Sequence, residues 1–155
     1  MRFDFIGKAF PNLKTELSQD GEAITIFNPY SNNNIIVDYE FYTSADGSDS
    51  FEQYTTRFSY QHRHFSNEKD VLQWIKGVID GTILAIELFE GEKNRCGGEI
   101  SFSNIEQLNN DVCKYISSSP RSDNFKIRSW NCENDYDGCV LSNEQNGIYI
   151  VINKV

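Results

Sequence analysis

The stretch from Phe65 to Glu90 constrains the fold most, because a helical pattern runs straight into a strand pattern with only a turn between them. Val71, Leu72, Ile75, Val78 and Ile79 recur at spacings of one, three and four, which places them on one stripe of a helix. Ser66 or Asn67 is positioned to cap the first amides. Glu68 and Asp70 sit where the helix dipole favours acids, and Gly81 is placed to end the helix. The spacing therefore predicts a helix over 67–80, with Trp74 beside the stripe and near its rim. Thr82 to Phe89 is almost continuously apolar, as a strand covered on both faces is.

The remaining patterns are mostly strands. Phe3, Phe5 and Phe10 alternate loosely, Pro11 breaks them, and Leu13 to Leu17 fits a turn of helix, so the first twenty residues read as a short strand plus loop. Asp20-Gly21 signals a turn before a strand over 22–27. From Ile35 to Thr43 the chain alternates with period two, and Phe51 to Tyr60 does so again after the Ala-Asp-Gly-Ser-Asp loop, which predicts a hairpin. Gly97-Gly98, inside a strand over 95–102, suggests a bulge in preference to a close backbone approach. Ser103 and Glu106 match a capping box, and Ile105, Leu108, Val112, Tyr115 and Ile116 continue a helix over 104–117 until the Ser117–Pro120 tract stops it. Residues 125–131 and 147–153 read as late strands. Aromatic residues at 14% with a single Met favour sheet over bundle, and no repeat or linker is visible. The expectation is a single α+β domain over 1–155, a mainly antiparallel sheet packed against two helices at about 67–80 and 104–117.

The formal charge of −9, from 23 acids against 14 Lys plus Arg, disfavours nucleic acid and favours cationic partners. The N-terminal residues lack the basic start and apolar run of a secretion signal, and no apolar stretch has the length of a membrane helix, so a cytoplasmic protein is expected. Cys96, Cys113, Cys132 and Cys139 have no Cys-x-x-Cys pair and read as free thiols. His62 and His64 flank Arg63; their spacing suits ligands or an acid and base, but with no third ligand nearby they read as exposed turn residues or a basic hydrogen-bonding cluster. Residues 133–144 copy calcium-loop spacing, yet Glu133 is a poor first ligand and the flanks look like strands, so an acidic hairpin loop is the expectation. Glu87, Glu90 and Glu92 read as a solvated edge. With no phosphate loop, Gly-x-Ser-x-Gly elbow or marked nucleophile, no enzymatic activity, cofactor or metal is expected.

The block Phe58-Ser59-Tyr60-Gln61-His62-Arg63-His64-Phe65, the helix with Trp74-Ile75, Ile83 to Gly91 and Cys96-Gly97-Gly98-Glu99-Ile100 together resemble small bacterial immunity proteins. These are the cytosolic partners of contact-dependent growth inhibition and other polymorphic toxins. The resemblance spans about the central third of the chain and implies a protein that binds and neutralises a cognate toxin C-terminal domain, such as a basic nuclease, by covering its active site or substrate surface. Acidity agrees with that role independently, because acids that mimic phosphates speed encounter with a basic partner. The expected contact residues are Asp46, Asp49 and Glu52 on the hairpin loop and Glu133, Asp135, Tyr136 and Asp137 on the late loop. Tyr39, Tyr42 and Trp130 are further aromatic anchors. A small hydrolase and an acidic scaffold or ligand-binding module are the alternatives.

Overall fold

The computed structural model describes residues 2–119, 121–143 and 147–155. The chain divides into two compact units, Met1–Lys76 and Gly77–Val155.

The first unit is an antiparallel meander with a helix at each end. Helix α1 (Asp4–Ala9) precedes β1 (Thr15–Leu17), β2 (Ala23–Ile26), β3 (Ile35–Thr43), β4 (Ser50–Phe58) and β5 (Gln61–Phe65), and the five strands pair in chain order. The short strand expected at the start is instead α1, and the segment that fitted a helical turn is β1. Asp4 in the first turn and Lys8 in the last both complement the helix dipole. Phe3 and Phe5 meet the same Tyr54 ring at 6.3 and 5.6 Å, which accounts for their apparent alternation. Leu13–Leu17 yields a strand because Thr15 to Leu17 find partners in Ile26 to Ile24. Ile24, Ile26, Ile35, Val37 and Phe58 are buried on one face of the sheet. The opposite face carries Asp38, Glu40, Thr55, Arg57, His62 and His64. The histidines therefore lie within a strand, not in a turn.

Helix α2 (Glu68–Ile79) follows, and the boundary between the units falls in its last turns. Its start is capped as expected by Asn67, whose Oδ1 accepts from the Asp70 amide at 2.9 Å. Trp74 is not at the rim: it is buried beside Phe65, with ring centres 6.3 Å apart. Gly81, at φ +72°, ends the helix; its amide donates to Val78 and that of Thr82 to Gly77, so two terminal carbonyls are satisfied.

The second unit holds β6 (Ile83–Glu90), β7 (Lys93–Ser101), α3 (Ile105–Ser118), β8 (Asn124–Arg128), β9 (Tyr136–Asn143) and β10 (Gly147–Lys154), with strand order β10-β9-β8-β6-β7. Leu84, Ile86 and Leu88 of β6 pack in one cluster with Leu108, Val112 and Ile116 of α3 and Phe125 of β8. Burial of each such side chain contributes about 2 kcal/mol. Glu87, on the other face of β6, is buried opposite Lys126 in register, so it is not part of a solvated edge.

Two local expectations shift by small amounts. The α3 cap is Asn104, one residue later than expected: its Oδ1 accepts from the Gln107 amide at 2.9 Å, and the Ser103 hydroxyl donates to the Gln107 side chain. Pro120, the expected stop, lies outside the described residues. The bulge is at Arg95, where the register skips from Leu88↔Cys96 to Phe89↔Asn94. Gly98 instead marks a close approach, because a Cβ there would stand 2.5 Å from the Tyr115 hydroxyl. That hydroxyl donates to the Glu99 carbonyl at 2.7 Å and accepts from the Glu99 amide at 3.2 Å, which ties α3 to β7.

Among the described residues, two five-stranded antiparallel sheets and three helices thus replace the one sheet and two helices expected, within the α+β class. Among the described residues no helix is long and apolar enough to cross a membrane.

Candidate protein-recognition arm

Strands β3 and β4 outlast their neighbours. Pairing of β2 with β3 ends at Ala23↔Asp38 and that of β5 with β4 at Phe65↔Tyr54, but β3 and β4 stay in register to Thr43↔Ser50. Residues 40–43 and 50–53 therefore form a two-stranded arm closed by the loop 44–49. A two-stranded ribbon is marginal in water, so its order depends on local ties. The loop supplies them: the Ser44 amide donates to the Asp49 carbonyl at 2.8 Å, and the Gly47 amide to the Ser44 carbonyl at 2.9 Å. Oδ1 of Asp46 accepts from both serine hydroxyls, Ser44 and Ser48, at 2.7 Å and from the Ser48 amide at 3.0 Å.

These bonds favour the ionised Asp46 and lower its pKa to about 2, with the Ser48 hydroxyl as the largest cause and that of Ser44 next. Because the folded value lies below the ordinary 3.8, the loop's stabilisation is complete above that value and is lost as pH falls toward 2. A carboxyl NMR titration is expected to place the Asp46 midpoint near 2 and to move it upward in Ser48→Ala. A midpoint unchanged by that substitution would show that the hydroxyl does not hold the carboxylate.

The arm exposes three aromatic rings. Phe41, Tyr42 and Phe51 are 60%, 41% and 56% exposed, and Tyr42 stacks on Phe51 with ring centres 5.0 Å apart. From residue 39 to 54 there are four acids, Glu40, Asp46, Asp49 and Glu52, and no Lys or Arg. Oε2 of Glu40 accepts from Tyr42 Oη at 2.8 Å, Gln53 Nε2 at 2.9 Å and Thr55 Oγ1 at 2.9 Å. These bonds, led by Gln53 and then Tyr42, hold its pKa below the ordinary value. Glu52 accepts from the half-buried Tyr39, raising the phenol's pKa, and the Arg2 guanidinium lies 3.7 Å from the centre of the Tyr39 ring. A cleft of about 360 Å³ runs along the root of the arm, lined by Arg2, Glu22, Tyr39, Glu40, Phe41 and Tyr42.

The late acidic segment has a different organisation. Its hairpin loop is mostly strand, since β9 begins at Tyr136. Asp135 Oδ1 accepts from the Ser129 amide at 2.7 Å and the Ser129 hydroxyl at 3.0 Å, which makes it a clasp across the turn. Asp137 pairs with Arg128 at 2.7 Å, and Tyr136 is only 9% exposed within the core cluster. Trp130 is 2% exposed. Glu133 is exposed and the Asp137 side chain nearly half exposed, while Glu144, the twelfth place of the calcium-like spacing, lies outside the described residues. Among the described residues no group of three or more His, Cys, Asp and Glu is arranged to hold a metal ion. Removing the clasp with Asp135→Ala leaves the amide of the fully buried Ser129 without its acceptor and is expected to cost about 1–3 kcal/mol in urea denaturation. Asp135→Asn, which keeps an oxygen, is expected to recover most of that loss; equal losses in both variants would contradict the clasp.

Of the seven expected contact residues, Asp46, Asp49 and Glu52 lie on the arm and its loop, whereas Glu133, Asp135, Tyr136 and Asp137 lie in the second unit. Phe41 and Phe51 were not among the expected anchors. Alternation places Phe41 on the face of the buried Ile35 and Val37, but the neighbouring strands stop before reaching it. Compared with known protein families, curated proteins and solved structures, the chain has no significant match.

Proposed function

We propose that this protein is an immunity-type inhibitor that binds a basic toxin domain and covers its active site or substrate surface. The supporting observation is the β3–β4 arm, on which three exposed rings stand among four acids without a single basic residue. Exposed aromatic surface is costly to keep in water and is the usual substance of binding hot spots. Acids around such anchors raise the encounter rate with a basic protein and reject acidic ones, while the rings lengthen the life of the complex. Asp49 and Glu52 supply the outward charge; Asp46 chiefly shapes the loop that holds the arm closed.

The late acids contribute less in this reading, because Asp135 and Asp137 already hold their own strands in place. The direct experiment is to co-express the protein with the toxin domain encoded beside it and to purify the complex. Protection of the cells and a one-to-one complex with a basic domain are expected. Failure to protect against, or to bind, any toxin of the producing strain would overturn the proposal.

A further inference from the structure

We propose that His62 and His64 form a two-imidazole site for a divalent transition-metal ion of the zinc class. The two residues alternate along β5 and so point to the same face of the first sheet, where both are exposed. Their ring centres are 5.3 Å apart. Zinc–nitrogen bonds of about 2.0–2.1 Å put the centres of two imidazoles on one tetrahedral ion about 5 Å apart. The separation of the two rings, whose planes stand at 75°, therefore matches that of a chelating pair.

A hydrogen-bond relay supplies the second element of such a site. The Glu40 carboxylate only accepts, so the Thr55 hydroxyl gives its one hydrogen to Glu40 at 2.9 Å. Thr55 Oγ1 then has only lone pairs to offer His64 Nδ1, also at 2.9 Å, so this bond forms in the tautomer whose Nδ1 carries the hydrogen. That tautomer leaves Nε2 with its lone pair available, the form in which a histidine binds metal. Gln53 Nε2, itself bonded to Glu40, stands 3.2 Å from the same Nδ1 and donates to it only in the other tautomer, so the Thr55 and Gln53 bonds to His64 are alternatives. Of the nearby charges, Arg57, opposite His62, is paired with Asp38 at 3.0 Å, which offsets part of its charge, and the Glu40 carboxylate lies behind the relay. Imidazole ligands suit zinc, nickel and copper, and two protein ligands leave the remaining positions to water or to a group from a bound partner.

The test uses the full-length protein with Co²⁺ and Ni²⁺ as probes, read by calorimetry and by visible absorption. One ion per chain is expected, without the thiolate charge-transfer absorption that binding at Cys96, Cys113, Cys132 or Cys139 would produce. His62→Ala and His64→Ala are each expected to weaken binding at least tenfold. Thr55→Val, which keeps both rings, is expected to weaken it about tenfold, and Thr55→Ser to restore it. No saturable binding, a thiolate band, or unchanged affinity in the doubly substituted protein would each overturn the site; unchanged affinity in Thr55→Val would remove the relay from it.

Discussion

Gly138→Val is expected to destabilise the second unit by about 3 kcal/mol or more, the upper end of what overpacking a core costs. A Cβ on Gly138 would stand 2.2 Å from the tip of the Phe125 ring and 2.5 Å from the Val151 carbonyl oxygen. Neither neighbour yields cheaply. Phe125 is fully buried in the cluster that joins β6, α3 and β8, and Val151 belongs to β10, which is in register with β9 over its whole length. The substitution therefore forces either the core ring or the β9–β10 ladder to move. Urea denaturation followed by far-UV circular dichroism measures the loss. Gly7→Ala in α1, where nothing lies within 4 Å of the added methyl, is the control and is expected to cause no loss. A Gly138→Val protein as stable as the parent would mean that the sheet packs differently around Phe125.

The largest functional effect is expected from Phe41→Ala combined with Phe51→Ala. Both rings are more than half exposed, so their removal changes stability by less than about 1 kcal/mol. On the proposed function each ring is a binding anchor, and loss of one such anchor costs about 2 kcal/mol or more, or roughly thirtyfold in affinity. The double variant is expected to bind the toxin domain at least about a hundredfold more weakly, mainly through faster dissociation. Tyr42 would lose its stacking partner as well, which makes the pair of substitutions less than independent. Stopped-flow or surface-based kinetics on the purified complex resolves the two rates.

The parts of the fold that were legible in the sequence rest on local contacts. Helix α2 was, because its cap Asn67 and its stop Gly81 act within a few residues. Strand β6 was, because burial on both faces requires a continuous apolar run. The β3–β4 pairing was legible from alternation, but its most consequential property was not. The arm exists only because β2 and β5 are shorter than the strands they flank, and the lengths of neighbours are not written in residues 39–54. For the same reason Phe41, which alternates with the buried Ile35 and Val37, emerges beyond the core.

The structural part played by the late acids was not legible for a different reason. Asp135 and Asp137 look like surface charge until Ser129 and Arg128 are brought to them by the turn between β8 and β9. Tyr136 faces inward because β9 starts there and sets which side each later residue takes. At Gly97-Gly98 the glycine signal was real, but its cause was the distant Tyr115 ring on α3 and not a bulge. Charge and composition located the acids and left their uses to tertiary structure.

Recognition of a basic partner by the arm is measured most directly as the affinity of the toxin domain for the parent protein and for Asp49→Lys/Glu52→Lys, each at two ionic strengths. Charge reversal on the arm is expected to slow association, weaken binding and flatten its dependence on salt, whereas reversal of Glu133 leaves all three unchanged. Equal affinity and equal salt dependence for the parent and the arm variant would contradict recognition by the arm.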